Sequence, residues 1–587
     1  MTDPRRRAAL AASWLLLAAL AVYSPLRTAG FVWDDDQYVT ANRTLDDAAG
    51  LARIWTDPRA TPQYYPLVHT GYWLERRVFG LDARGYHLTN VLLHGLNAVL
   101  LWRVLARLGV PGALLGASLF AVHPVMVESV AWITERKNVL SLAFALGSLL
   151  AYLHFAPLAA GAEPGRRRAG AWALSLALFA AGLLSKTVVC TLPAAIAVLH
   201  WWKRGRIRTV DLAPLLPFFA LGAAAGLHTA WIERHHVGAV GGEWGLAPIE
   251  RVLLAGRALW FYAGKLAWPH PLVFFYPRWR IDATELAQAA FPVAAVAAAA
   301  ALFAARGRIG RGPLAAVLIF AGVLFPALGF VDVYPFRYSY VADHFQYHAA
   351  PALLALFAAA AAGGAARLGA RGRTAARAGA IALVAALGAL SYQQAHAYRD
   401  LETLYRDTIA KNPGAWSAYL NLANLLSSAG RNREAVPLAR EAARLAPEIA
   451  DAHNTLGGVL FLAAAETPGE ASAQVDEAIA AFARARALEP GHVDALWNGA
   501  AALGAAGRHA EAAEWYAQIV ERDPTAVDAR VGLGRALLLA GRPADAEAAL
   551  REALRVAPGR ADAEEALAAA AAAAQRKVQI PAAGRSQ

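Results

Sequence analysis

The chain has very little cysteine and little charge. Its single cysteine, Cys190, lies inside an apolar block of the 587-residue sequence. Disulfide stapling is excluded, so any water-soluble part holds together by packing alone. Only 17 % of residues are charged and 57 % are hydrophobic, with a mean hydropathy of +0.35. A soluble domain carries roughly a quarter charged residues, so an all-soluble chain is excluded too. No small-residue cleavage site precedes the stretch Phe31-Val32-Trp33-Asp34-Asp35-Asp36, so the first apolar run reads as a retained span rather than a removable leader. The net charge of +12 does not point to nucleic acid, because much of the arginine sits in short connections between apolar blocks, as the positive-inside rule requires.

What is present is a series of apolar blocks, each about 17–22 residues long, the length that spans a bilayer as helix. They fall at 8–25, 88–108, 111–126, 138–155, 169–185, 187–202, 212–232, 284–305, 312–332, 348–367 and 378–395. Basic connections recur at Arg166-Arg167-Arg168, 203–206, 306–311 and 367–377. The block 250–268 carries Arg251, Arg257 and Lys265 on one side, within about a 120° sector of a helix. It reads as an interfacial or re-entrant helix. The pattern predicts eleven crossings, with the amino terminus cytoplasmic and the carboxyl terminus outside. The outward loops are then 26–87, 123–137, 185–187, 233–283 and 333–347, and they hold nearly all the unusual polar residues.

Beyond residue 400 the sequence changes character. Pro413, Pro447, Pro490, Pro524 and Pro558 are spaced by 34, 43, 34 and 34 residues, and Gly507 and Gly541 by 34. A 34-residue period, with Gly between two helices and Pro at the end, is the signature of the tetratricopeptide repeat (TPR). The additional residues of the longer interval fit a loop at "ETPGEASAQ", and "ADAEEALAAAAAAAQRK" reads as a capping helix. Such a solenoid offers a concave surface to a peptide or protein. The predicted organisation is all-α: a polytopic membrane helix bundle over 1–395, a TPR α-solenoid over 396–575 with about four full repeats and a partial first one, and a flexible tail at 576–587.

The polar residues of the outward loops admit two kinds of reading. Asp34, Asp35 and Asp36 follow the first span directly. They either block that helix from slipping inward or form a site in which a carboxylate takes the proton of an acceptor hydroxyl. The same run would accept a divalent cation, although a single acidic run identifies no cofactor. Glu128, Arg136 and Lys137 read either as a solvated ion-pair loop or as a phosphate site, for which arginine's planar fork is suited. Lys186 lies between two apolar blocks, and a lysine in that position is a functional candidate by default. Arg337, His123, His270, Asp343 and His344 are candidate site walls. His344 and His348 share a helical face without a third ligand to complete a metal site. The "NRT" at Asn42 is a bare sequon match.

Taken in order, "FVWDDDQYVTAN", "YYPLVHTGYWLERRVFGLDARGYHLTNVLLH", "HPVMVESVAWITERKNVLS", "LLSKTVVCTLP", "KLAWPHPLVFFYPRW" and the following repeat array resemble the transmembrane-and-TPR glycosyltransferase family, whose eukaryotic members are protein O-mannosyltransferases. The resemblance implies a GT-C fold, a polyprenyl-phosphate-linked sugar as donor, inversion at the anomeric carbon, and an essential acidic residue in the first outward loop, here Asp34 or Asp35. In "YVADHFQYH" the chain resembles bacterial members more closely, and Thr187 stands where eukaryotic relatives have an acidic or polar residue.

These expectations combine into a one-step displacement. Asp34 or Asp35 acts on the acceptor hydroxyl, and Arg136, Lys137, Lys186 and Arg337 stabilise the leaving phosphate. The lipid tail lies between membrane helices, and the TPR array takes a protein partner. The expected location is a bacterial inner membrane with the array in the periplasm. The rivals are a non-enzymatic TPR scaffold and a ligase or polymerase acting on a lipid-linked glycan.

Overall fold

In the computed structural model the described residues are 3–158, 168–237, 245–466, 469 and 471–578. Arg166 and Arg167, part of the "ETPGEASAQ" segment and most of the expected tail lie outside them. Among the described residues every regular element is helical. The chain forms two compact units that divide between Asn412 and Pro413.

The first unit holds the apolar helices. Pro4–Val22 begins as a helix should: Asp3 accepts from Arg5 N at 2.9 Å, and Pro4 occupies the first turn, where its missing N–H costs nothing. Five described helices are long and apolar enough to cross a bilayer: Ala83–Arg107, Ile133–Phe155, Thr209–His236, Leu286–Ile309 and Ala370–Tyr398. A sixth is added if the bent pair Ala113–Val122 and Pro124–Ala131, kinked by 54°, counts as one span. Apart from the first, Pro4–Val22 with 19 residues, the other expected crossings correspond to shorter helices, such as Leu192–Arg204 with 13 residues. At 1.5 Å per residue that is ~20 Å, less than the ~30 Å hydrocarbon core. The first helix carries three arginines at its start. The block 250–268 is the helix Pro248–Ala267. It is not among the helices apolar enough to cross, in keeping with the interfacial reading.

The long first loop is itself structured. Asp47 caps the helix Ala48–Thr56 by accepting from Gly50 N at 2.6 Å. A side chain at Gly50 would put its Cβ 2.2 Å from Thr44 O, so only glycine permits this approach. Tyr38, Tyr65, Tyr72 and Tyr86 pack with Ile133 of the second loop in its hydrophobic core. The kink at His123-Pro124 turns the second loop back into the protein, and nearly every residue from 116 to 139 is buried. That burial is what lets irregular backbone exist at such a position. The helix Ala83–Arg107 carries a buried polar row. His94 hydrogen-bonds Tyr347 Oη at 2.8 Å, and Asn97 donates to Val139 O at 2.8 Å.

The helix Leu401–Lys411, expected as the start of the repeats, belongs to the first unit. Tyr405 packs on Trp33, and Asn412 donates to Phe275 O at 2.9 Å. The second unit contains four helix pairs from Trp416–Ser428 to Pro543–Val556, then Ala561–Val578. Gly430, Gly507 and Gly541 each end the first helix of a pair with φ of +73° to +74°, a conformation that favours glycine and explains the period. In the same phase Arg431–Glu434, Arg508–Glu511 and Arg542–Asp545 pair at i,i+3. They are exposed, so each contributes little.

Candidate functional site

The stretch 31–36 makes a tight turn. Trp33 takes φ of +49°, the only non-glycine residue with positive φ among those described, a strained state that its surroundings must hold. Its indole packs edge-on against Phe274, Phe275, Tyr338 and Tyr405. Asp35 is fully buried. Its Oδ2 accepts from Val32 N at 2.8 Å, and its Oδ1 accepts from Thr134 N at 2.8 Å and Thr134 Oγ1 at 2.7 Å. Asp35 therefore pins the first loop to the second. Burial pushes its carboxyl up to about 7, against the downward pull of these three bonds.

Asp34, one residue earlier, differs in environment. It is half-buried, and no described group hydrogen-bonds its carboxylate. Burial raises it to about 6; Lys137 and His344 pull it down, and Asp36 and Glu135 push it up. Asp36 is exposed, accepts from Gln37 N at 2.6 Å, and is the first residue of the five-residue π turn Asp36–Thr40.

Facing Asp34 is a cluster centred on Glu135, which is fully buried. Lys137 Nζ lies 3.0 Å from its Oε1, and Lys186 Nζ lies 3.4 Å from its Oε2. Asn138 donates to Oε2 at 2.5 Å and receives Lys186 Nζ on its Oδ1 at 2.7 Å. His344 Nε2 is 3.9 Å from Glu135 Oε1. Glu128 backs this histidine, with Oε2 accepting from His344 N and Oε1 bonded to Nδ1, both at 3.0 Å. Two ammonium groups thus share one buried carboxylate, leaving a net positive pair beside Asp34. Lys186 is held down to about 8, chiefly by burial.

Of the residues singled out by sequence, Asp34, Lys137, Lys186, Glu128 and His344 come together, with Asp35 beneath. Arg136 does not. Its guanidinium is buried and donates to both oxygens of Glu75 at 2.9 Å, to Tyr86 O at 2.9 Å and to Asn90. Glu128 orients His344 and makes no contact with a lysine or arginine at ion-pair distance among the described residues. His123 uses both nitrogens on backbone, Leu266 O at 3.1 Å and Val125 N at 3.3 Å. His270 is exposed. Asp343 accepts from Tyr276 Oη at 3.0 Å and is pushed well above the carboxylate range by burial and by Glu128; it lies behind His344. Arg337 is half-buried in the turn Tyr334–Arg337 beside Tyr338. Asn42 hydrogen-bonds Thr44 N and Tyr38 O, a turn-capping role.

Sequence reasoning missed Glu135 and Asn138. No helical spacing announced them, because the helix Val127–Ala131 ends at an extended Trp132 before the turn Ile133–Glu135. Among the described residues no three His, Cys, Asp or Glu side chains converge to hold a metal ion.

An apolar cavity of about 810 Å³ runs between the helices from His348 to Arg308, Arg311 and Arg367, lined by residues such as Leu146, Leu192 and Pro351. His348 Nε2 hydrogen-bonds Ser141 Oγ at 2.9 Å, one helical turn from Lys137.

Tetratricopeptide-repeat family models match residues 420–465, 470–527 and 503–573. Protein O-mannosyl-transferase Tmtc1 of Drosophila melanogaster is 34 % identical over 149 residues, 23 % of this chain and 17 % of that protein. Protein O-mannosyl-transferase Tmtc2 of the same organism is 33 % identical over 185 residues, 30 % of this chain and 20 % of that protein. Protein O-mannosyl-transferase TMTC3 of Homo sapiens is 29 % identical over 133 residues, 21 % of this chain and 14 % of that protein. The match thus spans at most about a fifth of the length of these three relatives. Among solved structures, MamA protein aligns at 22 % identity over 26 % of this chain and 80 % of its own, with a TM-score of 0.24, a likeness too slight to carry an argument. The chain is a TPR-bearing membrane protein that is homologous, over less than a third of its length, to proteins named as protein O-mannosyl-transferases.

Proposed function

We propose that the chain is a membrane glycosyltransferase that moves a sugar from a polyprenyl-phosphate-linked donor to a hydroxyl on a protein, with inversion, at the extracytoplasmic face. The observation that carries this reading is a carboxylate without a hydrogen-bond partner, Asp34, beside the Lys137–Glu135–Lys186 cluster, with an apolar cavity reaching His348 close by.

Each part has a role in one displacement. The donor phosphate lies against Lys137 and Lys186, where Glu135 and Asn138 fix both ammonium groups. Asp34, raised to about 6, is ionised near neutral pH and has no hydrogen bond to break, as a general base requires. The acceptor oxygen attacks C1, its proton passes to Asp34, the C1–O bond breaks, and the electron pair leaves on the polyprenyl phosphate. The two lysines balance the charge that grows on that oxygen. The lipid tail occupies the cavity. The arginine-rich start of the first helix sets the amino terminus inside. The TPR array supplies a surface for protein.

The test is mass spectrometry of exported proteins and of glycolipids from cells with and without the chain, complemented by wild type or Asp34→Asn. Loss of a protein-linked hexose, restored by wild type alone, is expected. Altered glycolipids with unchanged proteins would point to the ligase reading. No change in either, or full rescue by Asp34→Asn, overturns the proposal.

A further inference from the structure

A second polar wall extends from the turn that carries Asp34. Trp33, the neighbour of Asp34, packs on Tyr338 with ring centroids 6.0 Å apart, and Tyr338 packs on Tyr334 at 6.2 Å. Tyr334 N points to Glu233 Oε2 at 3.4 Å, and Glu233 Oε1 accepts from Gln63 Nε2 at 2.9 Å. Gln63 Oε1 accepts from Tyr38 Oη at 2.9 Å, and the Tyr38 ring lies 5.4 Å from Lys137 Nζ. The path therefore leaves the Asp34 turn and returns to the lysine cluster. It draws its residues from four separate segments of the first unit.

Glu233 is the member that ordinary packing does not explain. It is 6 % exposed, holds one good hydrogen bond and one long one, and no described lysine, arginine or histidine forms an ion pair with it. A buried carboxylate in that state has its desolvation cost only partly met. Neighbouring hydroxyls are the donors that would satisfy it, because two adjacent O–H groups can meet the two carboxylate oxygens. Around it stand the amide of Gln63 and the phenol of Tyr38, whose polar groups both donate and accept. Acid, amide and phenol in one chain of hydrogen bonds suit the hydroxyl-bearing edge of a ring.

We infer that Glu233, Gln63 and Tyr38 form the subsite that reads the hydroxyls of the transferred pyranose, with Glu233 accepting from a vicinal hydroxyl pair. This rests on the donor reading above and adds where the sugar sits and what selects it. The phosphate lies on the lysine side of Asp34 and the sugar on the Glu233 side, so C1 falls between them.

The experiment uses the full chain in nanodiscs and native mass spectrometry. The probes are unsugared polyprenyl phosphate and polyprenyl phosphates bearing mannose, glucose or galactose. Wild type is expected to prefer one sugar-bearing lipid over the bare lipid by at least about tenfold. Glu233→Gln, which keeps shape, and Gln63→Leu should bring that ratio towards one while leaving bare-lipid binding unchanged. Lys186→Met should weaken bare and sugar-bearing lipids alike. If Glu233→Gln and Gln63→Leu retain the wild-type ratio, or if wild type shows none, the sugar subsite is overturned while the donor reading stands. If wild type binds neither kind of lipid, both fall together.

Discussion

Replacing Asp34 by asparagine should destroy activity and make the protein no less stable. A positioned general base contributes roughly 10²–10⁴ in rate, so transfer should fall by that factor. The stability side follows from the same environment. Asp34 is raised from 3.8 to about 6 in the folded protein. One pKa unit is about 1.4 kcal/mol, so ionised Asp34 costs the fold up to about 3 kcal/mol at pH 7.5. The side chain is partly solvated, which makes that figure a ceiling. Because the folded value lies above the unfolded one, the folded state binds more protons between pH 4 and 6. Wild type therefore loses stability relative to the variant as pH rises through that window. Asparagine carries no charge and loses no hydrogen bond. The assays are sugar transfer from a polyprenyl-phosphate donor and thermal unfolding in detergent by tryptophan fluorescence at pH 4 and pH 7.5. Transfer within tenfold of wild type, or a variant destabilised by more than about 1 kcal/mol at pH 7.5, would refute the reasoning.

Asp35→Asn differs because its carboxylate is hydrogen-bonded. The substitution places an amide N–H against a donor at Val32 N or Thr134 N, costing about 2–3 kcal/mol for the lost charge-assisted bond. It also relieves the burial that raises the Asp35 carboxyl to about 7, a term of similar size at pH 7.5, so the melting temperature at pH 7.5 should change little although activity falls. Arg136→Lys breaks the paired bonds to Glu75 and should destabilise by roughly 3 kcal/mol or more, with donor affinity unchanged in whatever remains folded. Lys186→Met should raise the KM for donor about tenfold or more. In wild type, kcat/KM against pH should be bell-shaped, rising through about 6 as Asp34 ionises and falling through about 8 as Lys186 loses its proton. A profile lacking the alkaline limb would remove Lys186 from the donor site.

The apolar blocks and the repeat were legible because both are periodic. Hydrophobic length marks a helix, and Gly430, Gly507 and Gly541 mark the one backbone state that glycine favours. The site was legible only as a set of neighbourhoods. "DDD" did not reveal that Asp35 would be consumed by Thr134, leaving Asp34 free, because that choice depends on a contact 99 residues away. In "TERKN" the backbone changes from a 3₁₀ turn to a helix at Arg136. That change sends Arg136 to Glu75 and leaves Glu135 and Lys137 together, and no propensity announces it. The row Asn90, His94 and Asn97 was readable in principle, since polar side chains at i, i+4 and i+7 in an apolar helix share one face.

The aromatic packing of Trp33 has a consequence for the order of synthesis. Its partners Phe274, Phe275, Tyr338 and Tyr405 leave the ribosome between about 240 and 370 residues after it. At 5–20 residues per second, the strained turn at Trp33 waits roughly 20–75 s before its last neighbour exists. During that interval the turn is held by the bonds of Asp35 to Val32 and Thr134 alone. The helix that precedes the repeats therefore completes the aromatic packing around the turn that carries Asp34.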